Sequence, residues 1–136
     1  MKKLMFISPN RLLIEKVTEL VGSRWDLDFC LFSVSRLDYV LRDIEIFVPE
    51  ITLVDITGQM DRSEVITLCR QIVAQQSLSN RCLLLVKYDD ESEQFAEQLK
   101  SQSLVEDYVL FENTLDSLTN KLLQFILLDS GTQGAD

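Results

Sequence analysis

Apolar residues fall in two alternating rhythms along the chain: short unbroken runs, and longer stretches where they recur every three or four positions among polar residues. The first run, Leu4 to Ile7, stops at Ser8, Pro9 and Asn10, which predicts a buried strand ending in a turn. From Arg11 to Ser23, Leu12, Leu13, Val17, Leu20 and Val21 keep helical spacing with Glu15, Lys16 and Glu19 between them. That is an amphipathic helix, with Gly22 as its stop. Leu27 to Phe32 predicts a second strand, and Ser35 a cap for a helix carrying Leu37, Val40, Leu41 and Ile44. Ile51 to Ile56, preceded by Pro49 and Glu50 and broken at Thr57 and Gly58, predicts a central strand that delivers Asp55 to its carboxyl end.

The same rhythms continue to the far end. Residues Ser63 to Ala74 place Val65, Ile66, Cys69, Ile72 and Val73 on one helical face, and Cys82 to Val86 predicts a fourth strand. Asp89 to Ser101 is a polar helix with a narrow stripe of Phe95, Ala96 and Leu99; its acidic start, Asp89, Asp90, Glu91 and Glu93, suits a helix N-terminus. Calcium binding there would need spaced oxygens and a tight-turn glycine, which is missing. Val105 to Phe111 predicts a fifth strand, and Asn113 can cap a last helix with Leu115, Leu118, Leu122, Leu123, Phe125 and Ile126 as its apolar residues. Strands alternating with helices predict an α/β fold: a three-layer α/β/α sandwich around a five-stranded parallel sheet in the flavodoxin-like order 2-1-3-4-5. In such sheets ligands gather at the strands' carboxyl ends near the topological switch point, here Ser8 to Asn10 and Asp55 to Gly58.

Composition narrows the function classes. A length of 136 residues, 46% hydrophobic, suits one domain, expected over residues 1–128, with 129–136 a flexible tail or the start of a linker to a further domain. Lys and Arg number 13 against 22 Asp and Glu, and a net charge of -9 repels a polyanion, so direct nucleic-acid binding is not expected. Lys2, Lys3, Arg11 and Lys16 are too sparse for a basic patch and read as a solvated face. No apolar run reaches the ~18 residues of a membrane span, and the stretch after Lys2 and Lys3 is short for a signal peptide, so a cytoplasmic protein is expected. Cys30, Cys69 and Cys82, odd in number and widely spaced, predict reduced thiols buried in the core. The chain has no histidine, which removes the commonest general base and zinc ligand.

Three stretches, Lys3 to Asn10, Pro49 to Asp55 and Val105 to Phe111, carry a resemblance to the response-regulator receiver family, the CheY-like domains, that runs from Lys3 to about Leu128. Pro49 to Asp55 (PEITLVD) is similar to the family's run ending in the phospho-accepting aspartate, which puts Asp55 at that position. Val105 to Phe111 (VEDYVLF) resembles the segment in which an aromatic precedes the family's lysine by three residues; Tyr108 matches that switch aromatic. Lys3 to Asn10 (KLMFISPN) resembles the first strand and its acidic turn.

Aspartyl phosphorylation needs a divalent cation, because a carboxylate is a poor nucleophile toward an anionic phosphoryl donor. In the family two acidic residues after the first strand hold Mg²⁺ with the acceptor; here those positions are Ser8 and Pro9. Magnesium prefers hard oxygens in octahedral array, so one carboxylate and a serine make a weak site, and no metal or other cofactor is expected. The family's Ser or Thr at the end of the fourth strand aligns with Val86, or with Lys87 if the strand shifts by one, and neither has a hydroxyl. The family's lysine aligns with Phe111, and the proline after it with Glu112. Of the chemically critical positions only Asp55 is kept, so the resemblance implies a vestigial acceptor and a degenerate pseudo-receiver: not an enzyme, but a two-component-type signalling module acting through protein contacts.

Three further expectations stand beside that reading. A shifted fourth strand would let Lys87 pair permanently with Asp55. The family commonly dimerises through the face of its fourth helix, fifth strand and fifth helix, which makes Tyr108 and Phe111 candidate interface residues for a homodimer, a protein partner or a downstream output domain. The alternative function is an atypical receiver phosphorylated on Asp55 by a histidine kinase in a phosphorelay. A small-ligand binder on the same fold is disfavoured, because the glycines, Gly22, Gly58, Gly131 and Gly134, form no phosphate-binding loop after the first strand.

Overall fold

The computed structural model describes residues 2–24, 26–27, 29–58, 61–75, 81–112 and 114–124. Strands β1 (Lys2–Ile7), β2 (Phe29–Val34), β3 (Ile51–Asp55), β4 (Arg81–Lys87) and β5 (Asp107–Phe111) form one sheet in the order β2-β1-β3-β4-β5, every pair parallel. Helices α1 (Arg11–Ser23), α2 (Val40–Phe47), α3 (Arg62–Gln75), α4 (Asp90–Ser101) and α5 (116–124) cross between or follow them. This is the predicted three-layer sandwich.

Strand alternation divides the core. Met5, Ile7, Val54, Leu84 and Val86 face α2, α3 and α4, meeting Val40, Ile44, Val65, Cys69, Ile72, Phe95 and Leu99. Leu4, Phe6, Leu53, Leu83 and Leu85 face the other way, onto Leu13 and Val17 of α1 and Leu118 and Leu122 of α5. Because helices cover both faces, β3 is buried at every position, and its run of apolar residues is continuous instead of alternating.

Four local expectations are corrected. The second strand begins and ends later than predicted, because the Phe29 amide donates to the Leu27 carbonyl (2.9 Å) in a turn that drops Leu27 into the core before pairing starts. Ser35 caps nothing: a 3-10 turn, Leu37–Tyr39, intervenes, and α2 starts at Val40 with no side-chain cap. Gly22 does not stop α1, which runs through it to Ser23. Cys30 is exposed, since it lies on an edge strand that α2 only partly covers; Cys69 and Cys82 are buried as expected, and all three thiols are free. Asn113, Phe125, Ile126 and the tail at 129–136 lie outside the described residues.

Helix α2 ends on Val48, whose backbone is left-handed (φ 52°, ψ 67°) and whose amide donates to the Ile44 carbonyl at 2.9 Å. A β-branched residue is strained there, by roughly 1–2 kcal/mol. Val48 is half exposed, so little packing offsets that strain. Val48→Gly is therefore expected to raise stability by about 0.5–1 kcal/mol in urea unfolding, after the entropic cost of glycine. No gain would mean that the side chain holds the α2 terminus by contacts that outweigh the backbone strain.

Candidate functional site

The carboxyl ends of β1, β3 and β4 converge on Asp55, which is only 3% exposed. Its position follows from β3 being central and ending there: the next amide, Ile56, still donates to the Leu85 carbonyl (2.9 Å), after which the chain leaves the sheet. Ser8, equally buried, donates its hydroxyl to Asp55 Oδ2 at 2.6 Å and accepts the Asn10 amide at 3.1 Å. Thr57 donates both its amide (2.8 Å) and its hydroxyl (2.6 Å) to Asp55 Oδ1. Asn10 in turn caps α1, accepting from the Leu12 and Leu13 amides. Both carboxylate oxygens thus have short hydrogen bonds from neutral donors in the protein's own loops.

Thr57 is the residue that sequence reasoning missed. An aspartate with a threonine two positions on is the signature of an Asx-type turn, in which the side chain bonds the backbone two residues later, and that spacing could have found it. Pro9 is exposed at the loop tip. Val86 is fully buried in the apolar layer under α3 and α4, so its side chain belongs to the core. Lys87 is exposed and lies 3.9 Å from Asp89, which corrects the expected Lys87–Asp55 pair: as the last residue of β4 it stands beyond the packed layers, where nothing buries its long side chain and the nearby acidic start of α4 attracts it.

These residues do not fit Mg²⁺. Among the described residues no group of three or more His, Cys, Asp or Glu side chains is placed to hold a metal ion. The hydroxyls and amide that engage Asp55 would have to be displaced to free its oxygens, and a single carboxylate is poor compensation for dehydrating magnesium. Beside the site, Arg62 lies over the Phe95 ring (5.0 Å) and reaches Glu91 (3.4 Å), linking the start of α3 to α4. The cavity beneath, lined by Ile56, Gly58, Arg62, Val65, Ser92 and Phe95, holds about 90 Å³. That is well below the ~300 Å³ at which small-molecule pockets begin.

Next to β5 the structure is equally specific. Tyr108 leans on α4, its hydroxyl 2.5 Å from Glu97 and 3.0 Å from Glu93; burial and these two acceptors push its pKa up. Burial alone would raise Asp107, but bonds from Lys121 (2.7 Å), the Tyr108 amide and Lys100 outweigh it and hold its carboxyl below the ordinary range. Asp107 thereby ties α4 to α5 across the strand. Phe111 is half-buried against the α1 and α5 layer and offers only part of its ring to a partner. At the start of α4, Asp89 accepts the Ser92 amide (2.7 Å), so the acidic cluster caps the helix. No helix among the described residues is long and apolar enough to cross a membrane.

No protein-family model matches the sequence, and no curated protein matches it significantly. Among solved structures the chain is similar to a pilus assembly protein, CpaE, from Burkholderia thailandensis, at 16% identity over 91% of this chain and 97% of that one, with TM-score 0.69. It is also similar to the response regulator TrrA of Thermotoga maritima, solved with Mg²⁺ and BeF, at 14% identity over 91% and 98%, TM-score 0.69. CpaE of Caulobacter crescentus matches at 8% identity over 93% and 99%, TM-score 0.67. At such identities what is shared is the fold. The chain has a receiver-like fold, that of response-regulator receiver domains.

Proposed function

We propose that the chain is a non-catalytic, cytoplasmic receiver-like signalling module that acts by protein–protein contact and not by Mg²⁺-dependent phosphorylation of Asp55. The observation that carries this reading is the closed bonding of Asp55: Ser8 and Thr57 occupy both carboxylate oxygens at 2.6 to 2.8 Å. A nucleophile in that state would have to lose these bonds before attacking phosphorus, and Ser8 and Pro9 stand where the receiver family places its metal-holding acidic pair. The surface around α4, β5 and α5, with Tyr108 and Phe111, is the proposed contact for a partner protein or an attached output domain. Its ion-paired strand and partly exposed rings suit a polar-rimmed interface.

The test is incubation of the protein with Mg²⁺ and a small phosphodonor, read by intact mass, with beryllofluoride and Mg²⁺ in a parallel melting experiment. Unchanged mass and an unchanged melting temperature are expected. A phosphoryl-sized mass gain that disappears in Asp55→Asn would overturn the proposal and establish Asp55 as an atypical phosphoacceptor.

A further inference from the structure

Among the described residues, strand β2 is the outer strand of the sheet and pairs only with β1. The Val34 carbonyl accepts the Ser8 amide at 3.0 Å, so Val34 bonds toward β1. Backbone alternation then turns Cys30 and Phe32 toward β1 and leaves the amide and carbonyl groups of Leu31 and Ser33 facing outward. The Phe29 amide is already used by Leu27. Edge strands are normally guarded by charge, proline, a bulge or shortness. At the opposite edge β5 carries Asp107, bridged to Lys100 and Lys121. By contrast β2 (FCLFSV) has six residues in unbroken register with no charge, proline or glycine.

The side chains beside this edge are apolar as well. Phe32, 39% exposed, stacks on Phe47 with ring centroids 5.2 Å apart, and Ile46 and Val48 stand out at the end of α2 at 75% and 51%.

We propose that a second copy of this chain pairs with β2 in antiparallel fashion across a two-fold axis, making one continuous sheet. The backbone sets the register. The outward groups are all used only when Leu31 of one copy opposes Ser33 of the other, an arrangement that is its own mirror under the two-fold. Phe32 then faces Phe32 of the second copy as a non-hydrogen-bonded pair, with Cα atoms about 4.5 Å apart and rings on the same face. Each ring is already stacked on its own Phe47, so the pairing joins two aromatic stacks into one.

Charge order selects the antiparallel sense. Asp26 lies just before the strand and Arg36 just after it, so antiparallel pairing brings Arg36 of each copy toward the Asp26 end of the other, whereas a parallel arrangement would set like beside like. Both charges already have local partners, Arg24 and Asp38, so this contact orients the pair more than it tightens it. The net charge of -9 per copy opposes association, and salt screens that repulsion. The contact is independent of the state of Asp55 and of the β5 side of the sheet.

Sedimentation of the full chain over a wide range of concentration is expected to show a monomer–dimer equilibrium that shifts to dimer as salt is raised. Ser33→Pro removes the outward amide, which a free edge tolerates and a paired one does not, so the dimer should be lost while the circular dichroism spectrum stays native. Phe32→Lys places a charge at the centre of the contact and should have the same effect. As a positive readout that does not depend on those variants folding, Phe32→Cys in a Cys30→Ser background should give a disulfide-linked dimer with oxidised glutathione, because the paired Cα separation lies in the disulfide range of about 4.4–6.8 Å. A chain that stays monomeric at every concentration and salt overturns the proposal. So does a dimer that survives Ser33→Pro and Phe32→Lys, gives no Phe32→Cys cross-link, and falls apart instead on changing Phe111. The phosphodonor experiment reads mass alone, so its result neither supports nor harms this one.

Discussion

Asp55→Ala is expected to destabilise the domain by about 2–4 kcal/mol, whereas Asp55→Asn should cost only about 1 kcal/mol. The alanine variant strands three donors at once: the buried Ser8 hydroxyl and the Thr57 amide and hydroxyl. Hydrogen bonds to a charged acceptor contribute more than neutral ones, and a buried donor left without a partner carries its full desolvation cost. Relief from burying the carboxylate offsets part of this, which keeps the figure below a simple sum. Asparagine keeps an oxygen for Thr57 and presents an amide to Ser8, whose hydroxyl can rotate to accept it. Urea unfolding of the two variants measures the difference. In a pocket crowded with carboxylates, removing one relieves repulsion and stabilises the fold, so a gain in stability for Asp55→Ala would refute the closed-network account of this site.

Phe6→Ala should have a larger effect, about 3–5 kcal/mol, against a total margin that for domains of this kind is roughly 5–15 kcal/mol. Phe6 has no exposed surface and sits in β1 between Ser33 of β2 and Leu53 of β3. It belongs to the layer formed with Leu13, Val17, Leu85, Val109, Leu118 and Leu122. Truncation would leave a cavity under both α1 and α5, and a close-packed β-sheet collapses poorly onto such a space. Phe6→Leu, which refills most of the volume, should cost less than about 1.5 kcal/mol. The denaturation midpoint should fall with little change in slope. A small loss for alanine would mean that the α1 and α5 layer can repack.

Much of this architecture is legible in the chain. The apolar run from Ile51, the helical spacing from Arg11 to Ser23 and the stripe of Phe95, Ala96 and Leu99 depend on local periodicity, and each stands where that periodicity put it. The errors have a common cause. Leu27 looks like the start of a strand and is instead a core residue in a turn, because one hydrogen bond from Phe29 redirects the backbone. Ser33 looks like the end of a strand and is inside it, because polar residues are tolerated on an edge. Cys30 has the composition of a core residue and is exposed for the same reason.

At the candidate site the division is similar. The identities of Ser8, Pro9, Val86 and Phe111 at the ends of their strands are visible from their order along the chain, and so is the lack of histidine. What surrounds Asp55 is only half visible: Thr57, two positions on, fits the spacing of an Asx-type turn, whereas Ser8 reaches Asp55 from a position 47 residues away. Nor could the direction of Lys87 be read, since it ends its strand unburied and its side chain follows the nearest acidic group, Asp89.

By itself, then, the sequence determined the alternation of strands and helices, the burial of the central strands and which residues stand at the strands' carboxyl ends: Ser8 and Pro9 after the first, Asp55 on the third, Val86 on the fourth and Phe111 on the fifth. These are properties of residue type and local spacing. Only the tertiary structure decided that Ser8 reaches across to close the second oxygen of Asp55, that Lys87 stands beside Asp89 instead of Asp55, and that the uncharged edge of the sheet is β2 while β5 is guarded by Asp107. Each of these depends on which distant segments the crossovers bring side by side, and hydrogen-bond geometry at that range has no counterpart in the local pattern of the chain.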